Sequence, residues 1–337
     1  MEFLKLIIKL TAIFALFLSS CSKTGSRDSY EFYHWKSKAK MTPGIKEAVS
    51  HCNTKKVYLR FFDVVKEPRE GIYPEYTLLE LDDDFKEFEI IPVVFIANEC
   101  LRSYSNADWL AEKINDLVNE MCAYHGITTT EIQLDCDWTS STKKKFFKVV
   151  ELLKKQFKVG VTIRLHQIKY PESTGVPPAN KGVLMLYNVG ELKDVEKNYI
   201  LESSTVSAYI TENSTYELPL DLALPLYNQA VILYDENSRV KQKVKLVNNP
   251  DLELISDTSM FSADNSLCYT AKKDTVFNDF QINKGTKIKI EKSEHDEIFK
   301  SLKILNSSPL KFEEVIFYHL DDSTLQRSEY KSLIEKI

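Results

Sequence analysis

Segments of strand character alternate with segments of helical character along most of the chain, and this alternation constrains the fold more than any other feature. Eight stretches read as strands: Glu31–Trp35, Lys56–Val64, Ile90–Ala97, Glu131–Trp138, Gly160–Ile168, Gly182–Val189, a run within Asp221–Leu233, and Phe312–Leu320. Helical spacing follows most of them, at about Pro43–Cys52, Asp108–Tyr124, Thr142–Phe157 and Ser323–Lys336, while Lys66–Asp84 reads as loop. In Asp108–Tyr124 the apolar positions Trp109, Leu110, Ile114, Leu117 and Val118 recur at the helical period. Such alternation builds parallel strands joined by helical crossovers. Eight units predict closure into a (β/α)8 TIM barrel with its functional end at the C-terminal ends of the strands. A doubly wound open sheet is the competing architecture, but no Gly-x-Gly-x-x-Gly loop follows any strand. The polar stretch Tyr234–Pro309 is too long for one crossover and predicts a small insertion between strands seven and eight, at about 234–309. Within it, Thr286–Ile290 reads as a strand and Ile298–Leu305 as a helix.

The chain begins with a basic segment containing Lys5 and Lys9, followed by Leu10–Leu18, apolar apart from Thr11. That run is short for a membrane span and has the proportions of a signal-peptide core. Leu18-Ser19-Ser20-Cys21 resembles the bacterial lipobox, where small side chains admit the peptidase and the thiol takes a diacylglycerol. The expectation is a signal peptide over 1–20 and a lipid on Cys21. A polar tether over 21–30 then leads to a mature barrel over 31–337 at the bacterial outer membrane. A barrel needs ~250 residues, which the mature chain supplies.

A net charge of -5 excludes a dedicated nucleic-acid binder, which would carry a basic stripe. The remaining cysteines, Cys52, Cys100, Cys122, Cys136 and Cys268, are odd in number and lack a Cys-x-x-Cys pair. They suggest neither a disulfide framework nor a structural zinc site, though one bridge is open. Cys136 reads as a small core residue.

The fourth strand carries the chemistry. It reads Glu131-Ile-Gln-Leu-Asp-Cys-Asp-Trp138, so Ile132, Leu134 and Cys136 share one face and Gln133, Asp135 and Asp137 the other. The apolar face suits the surrounding helices, which turns the acids into the barrel. Carboxylates there are costly unless paired, and two of them on one strand end push their pKa values apart. On the fifth strand Thr162, Arg164 and His166 share a face, with Arg164 a charge partner for the acids and His166 a hydrogen-bond donor. Trp35, Phe62, Trp138, Tyr187 and Tyr227 lie near strand ends, where aromatic rings stack on sugars or pack the barrel mouth. Asp63, Glu99 and Asp321 are candidate second carboxylates. His34, His166 and His319 could meet at the mouth, but nothing in their spacing requires a metal, and no cofactor is expected.

These residues carry a family resemblance. The fourth strand resembles the Asp-x-x-Asp-x-Asp-x-Glu signature of the family 18, chitinase-like glycoside hydrolases. Met185-Leu-Tyr187-Asn188 is similar to that family's Met-x-Tyr-Asp, and Leu222-Ala-Leu-Pro-Leu-Tyr-Asn228 to its Leu-Gly-Leu-Pro-Phe-Tyr-Gly. The chain also resembles a family of barrel-type bacterial lipoproteins and exported proteins with Gln-x-Asp-x-Asp on the fourth strand. The resemblance implies Asp137 as general acid, Asp135 as the group orienting an acetamide, Tyr187 as its donor, and Tyr227 and Asn228 at the pocket. Thr130 and Gln133 replace two aspartates of the signature, and Asp137 replaces its glutamate. The shorter side chain falls ~1.5 Å short. Displacements of about 1 Å can cost ~100-fold in rate. Two functions follow: a monomeric exported lipoprotein that hydrolyses a glycan, or one that binds a glycan or a protein without hydrolysis.

Overall fold

The computed structural model describes residues 27–67, 69, 71–102, 106–190, 192–234, 243–325 and 329–337. The expected signal peptide, Cys21 and the first part of the tether lie outside the described residues.

Eight parallel strands close into a barrel: β1 (Glu31–His34), β2 (Lys56–Glu67), β3 (Glu89–Ile96), β4 (Glu131–Asp135), β5 (Lys158–Ile163), β6 (Lys181–Met185), β7 (Leu220–Pro225) and β8 (Phe312–Tyr318). β1 pairs with both β2 and β8, which leaves the parallel sheet no edge. The fold is a (β/α)8 TIM barrel, as the alternation predicts. The apolar faces of the helices cover it. In Ala107–His125, for example, Leu110, Ile114, Val118 and Met121 are buried. Asn106 caps that helix through the amide of Asp108, and Gly126, at a φ of 65°, ends it.

Several boundaries differ from the sequence reading, each for a local reason. β4 stops at Asp135 and β6 at Met185. β5 stops at Ile163, and Leu165–Lys169 turns into a helix whose start is capped by Gln167, its side-chain oxygen accepting from the Arg164 amide at 2.7 Å. The run Asp221–Leu233 holds most of β7, as expected, and also a second strand, Asn228–Tyr234, which joins the insertion. The C-terminal helix is two short pieces, Asp322–Leu325 and Glu329–Ile334. Between β2 and β3 the described residues form an antiparallel strand, Gly71–Glu75, and a 3-10 turn, Asp83–Glu87, in place of a crossover α-helix. This leaves a groove of about 380 Å³ on the flank, lined by Phe62, Ile72, Pro74, Trp109 and Leu117 among others. Arg27 to Ser29, expected in the tether, are pinned: Arg27 donates to the carbonyls of Glu313 and Phe312, and Ser29 to Glu31.

The insertion is a five-stranded antiparallel sheet and a hairpin, Thr275–Phe277 with Phe280–Ile282, around a core of its own that includes Ile232, Phe261, Phe277, Ile288 and Ile290. Its Lys287–Lys292 strand overlaps the expected Thr286–Ile290, and its His295–Asn306 helix contains the expected Ile298–Leu305. The five cysteines are buried thiols with no disulfide among them.

The barrel lumen is filled in layers. At the N-terminal pole Lys181 of β6 lies 2.9 Å from Glu131 of β4, 3.0 Å from Asp221 of β7 and 2.9 Å from the Tyr58 hydroxyl of β2. Lys56 pairs with Glu314 at 2.6 Å. Burial raises the Asp221 pKa, and Lys181 opposes that shift. One level up, Tyr33 and Gln133 exchange hydrogen bonds across the lumen, since β1 and β4 are not neighbours. Lys181→Met would leave these carboxylates without their shared cation. We expect it to cost ~3–5 kcal/mol, measured by urea denaturation at pH 7, and to cost less at acid pH, where the acids are neutral.

Candidate functional site

The C-terminal ends of β4, β5 and β6 open onto a pocket of about 330 Å³. Its wall is an ion pair. The Arg164 guanidinium donates to both oxygens of Asp137, from Nε at 2.7 Å and Nη2 at 3.3 Å. Both residues follow the ends of their strands, and Arg164 also donates to the carbonyl of Tyr187. Asp137 is exposed, not turned into the lumen, because the chain leaves β4 at Asp135. His166 is exposed on the short helix rather than on β5, and it reaches the same pocket. Burial holds its pKa below the usual value, and Asp137 pulls the other way.

Asp135 occupies the level beneath. Its carboxylate is 7% exposed and accepts from Thr162 on β5 at 2.8 Å. The parity read from the sequence therefore holds for Gln133 and Asp135. Burial pushes the Asp135 pKa up to about 6; Arg164 opposes this and Asp137 adds to it. The two acids thus differ: one is open to solvent and ion-paired, the other sealed and a proton acceptor near neutral pH.

Aromatic rings form the floor of the mouth. Tyr187, 2% exposed, stacks on Tyr318 at 4.8 Å, and Tyr227 meets Tyr318 edge-on at 5.5 Å. Trp35 meets Tyr318 at 5.6 Å and carries the Arg60 guanidinium on its ring. Arg60 also pairs with Asp63, and Tyr76 covers it, 60% exposed at a φ of 50°. Tyr227 donates to Asn188, a pocket residue at a φ of 54°.

Trp138 lines the same pocket but is 1% exposed, stacked on Phe146 with its indole nitrogen donating to the carbonyl of Thr174, so its ring is spent mostly on packing. Other expected site residues sit elsewhere. Phe62 is buried. Asn228 sits at the base of the insertion, accepting from the amide of Ser293. Asp321 pairs with Lys36 at 2.8 Å, and Glu99 is exposed on the Asn98–Arg102 helix. His34 and His319 are buried, and burial lowers their pKa values to about 3 and about 4. Among the described residues no group of three His, Cys, Asp or Glu side chains is placed to hold a metal ion.

Among the pocket residues that sequence reasoning missed are the tyrosines Tyr199 and Tyr209. Tyr199 lies in a loop without periodicity, and what holds it comes from the insertion: the Glu291 carboxylate accepts from its backbone amide at 2.9 Å. Glu291 also pairs with Lys289 at 2.5 Å, both wholly buried, and accepts from Gln229. Tyr318 was within reach of the sequence, because it shares strand parity with Glu314, which faces the lumen.

Fold and site together define a (β/α)8 barrel with a charged, tyrosine-floored pocket at its C-terminal mouth. Among solved structures, the spore cortex-lytic enzyme SleL of Bacillus megaterium is similar in fold at 13% identity, covering 91% of this chain and 75% of that one, with a TM-score of 0.49. A family 18 chitinase of Cycas revoluta in complex with (GlcNAc)4 is similar at 10% identity, covering 87% and 95%, with a TM-score of 0.44. Human YKL-39, a pseudo-chitinase with retained chitooligosaccharide binding, is similar at 8%, covering 91% and 98%, with a TM-score of 0.45. No family model matches the chain, and no curated protein matches it.

Two measurements test this site. An acid whose folded pKa is raised stabilises the fold below its unfolded value near 3.8 and loses that contribution as pH rises through about 6. Asp135→Asn is therefore expected to be more stable than the wild type at pH 7 by up to about 3 kcal/mol. The gap should close as pH falls from 6 to 4, as read by urea denaturation across that range. Glu291→Ala strands Lys289 and frees the Tyr199 amide, so it should cost ~3–5 kcal/mol, whereas the pair Lys289→Met and Glu291→Leu leaves no charge behind and should cost less. Both should speed amide exchange at Tyr199.

Proposed function

We propose that this protein is a glycan-binding barrel of the bacterial outer membrane, anchored by a lipid on Cys21, that binds its ligand without hydrolysing it. The observation that carries this reading is the Arg164–Asp137 ion pair in the wall of an open pocket whose other sides include Tyr187, Tyr199, Tyr209 and His166. Sugars offer hydroxyl groups to such charged hydrogen-bonding pairs and flat C–H faces to aromatic rings. The short motifs of β4, β6 and β7 that resemble the chitinase-like hydrolases point to the same ligand class.

Hydrolysis by the familiar route is poorly served. A general acid must carry a proton to the leaving oxygen, and Asp137 is engaged through both oxygens by a guanidinium. Two-carboxylate hydrolysis needs acids on both sides of the scissile bond, yet Asp137 is the one carboxylate among the described residues lining the pocket. One observation favours the enzymatic reading: Asp135, raised to about 6, keeps a proton in the range where an acid is useful.

Calorimetry against soluble oligosaccharides, beginning with the tetramer of N-acetylglucosamine, tests the proposal. Binding without released product is expected. Arg164→Ala and Tyr199→Ala should each lower affinity, the former by ~1.5–3 kcal/mol as a charged hydrogen-bond donor is lost. Failure of every oligosaccharide to bind, or unchanged affinity in both variants, refutes it. Turnover that disappears in Asp135→Asn would establish the enzymatic reading instead. For the anchor, Cys21→Ala should move the protein from the membrane to the soluble fraction.

A further inference from the structure

The proposal here rests on the Cys21 anchor and concerns which way the barrel faces. The chain enters the barrel at the pole opposite the pocket. Arg27 donates to the carbonyls of Phe312 and Glu313 at the start of β8, at 3.0 and 2.7 Å. The Asn53 side chain, just ahead of β2, donates to the carbonyl of Asp28, and the Tyr30 amide to that of Cys52. Residues 27–30 are thus fixed against the N-terminal ends of β1, β2 and β8. The pocket residues Asp137, Arg164 and Asn188 follow the C-terminal ends of β4, β5 and β6.

The tether cannot span that distance. Six residue steps separate Cys21 from Arg27, a reach of at most ~22 Å. The Ala107–His125 helix runs back from the mouth to the N-terminal pole, and its 19 residues measure ~28 Å. A lipid on Cys21 therefore cannot bring the mouth onto the bilayer.

We infer that the barrel stands on the membrane by its N-terminal pole, with the lipid headgroups beneath it, and that the pocket opens away from the bilayer toward ligands arriving from the aqueous side. Exposed Lys55, Lys154, Lys155, Lys158 and Lys311 share that pole with exposed Asp28, Glu89, Glu212, Glu217 and Glu313. The mixed charge means that tether length sets the contact, with no net attraction to anionic lipid.

The test uses the full chain, processed and lipidated in a bacterial host and reconstituted in phosphatidylcholine vesicles. Lys158→Cys labels the pole and Ser140→Cys the mouth; both positions are exposed, and the five native thiols of the barrel are buried. Energy transfer from a dye at each site to a headgroup-labelled lipid should be greater from position 158 than from 140. It should be unchanged when anionic lipid or salt is added. Equal transfer means that the barrel lies on its flank, and greater transfer from 140 means that the mouth faces the bilayer; either result overturns the inference. Fractionation of the wild type and Cys21→Ala reads the anchor separately. A wild type found in the soluble fraction overturns the anchor and this orientation with it, while leaving glycan binding to be judged by calorimetry.

Discussion

Four residues close the barrel. Glu31–His34 is the shortest of the eight strands, yet its backbone pairs on one side with Val57 to Leu59 and on the other with Ile316 and Phe317. Without it the sheet would have two open edges, each a row of unpaired amides and carbonyls. The Glu31 side chain strengthens the closure by accepting from the amides of Lys55 and Lys56 at 2.9 and 2.6 Å. The same strand sets the lumen. Its Tyr33 reaches Gln133 across the barrel and touches Tyr58, Trp35 and Tyr318. A slip of one residue in β1 would turn Tyr33 out to the helices and leave Gln133 without its partner.

From that closure the lumen follows as a gradient. Charged groups gather at the N-terminal pole around Lys181, a single polar pair spans the middle, and tyrosines seal the top. A carboxylate near the tyrosines is cut off from water without gaining a cation of its own, which is why Asp135 holds its proton to about 6. Asp137, two residues on, escapes the gradient because it has left the strand, and Arg164 takes it as a partner. The division between the two acids is thus a matter of depth along one segment.

That division marks the limit of what the sequence could say. Strand character alternating with helical spacing identified the eight strands, and period-two alternation turned Gln133 and Asp135 inward, since an apolar face such as Ile132, Leu134 and Cys136 has one place to go. Alternation says nothing about where a strand ends. Asp137 and His166 were placed on strands that had already stopped, so their neighbours were right in part and their exposure wrong. The run Asp221–Leu233 hid a break, because β7 and the first strand of the insertion are both buried and equally apolar. Trp138 looked like a sugar platform by position, but a helix one turn away offered Phe146 to pack against it. Tyr199 had no local signal, since its position depends on a residue 92 positions later in the chain.

The last point bears on how such a pocket is built. The barrel supplies the ion pair, the floor and the loop between β6 and β7 that carries Tyr199, and the insertion, with a core of its own, props that loop from behind. One of the links between them runs through the Glu291 of a wholly buried Lys289–Glu291 pair. For stability alone, well-packed apolar residues serve as well as a buried ion pair or better. A carboxylate can do what they cannot: it pairs with a lysine while accepting from an amide side chain and the Tyr199 backbone. Substituting an apolar group would leave the loop amide without an acceptor and the tyrosine without a fixed place. The pair is therefore best understood as fixing the shape of the pocket wall, with fold stability resting on the two apolar cores on either side of it.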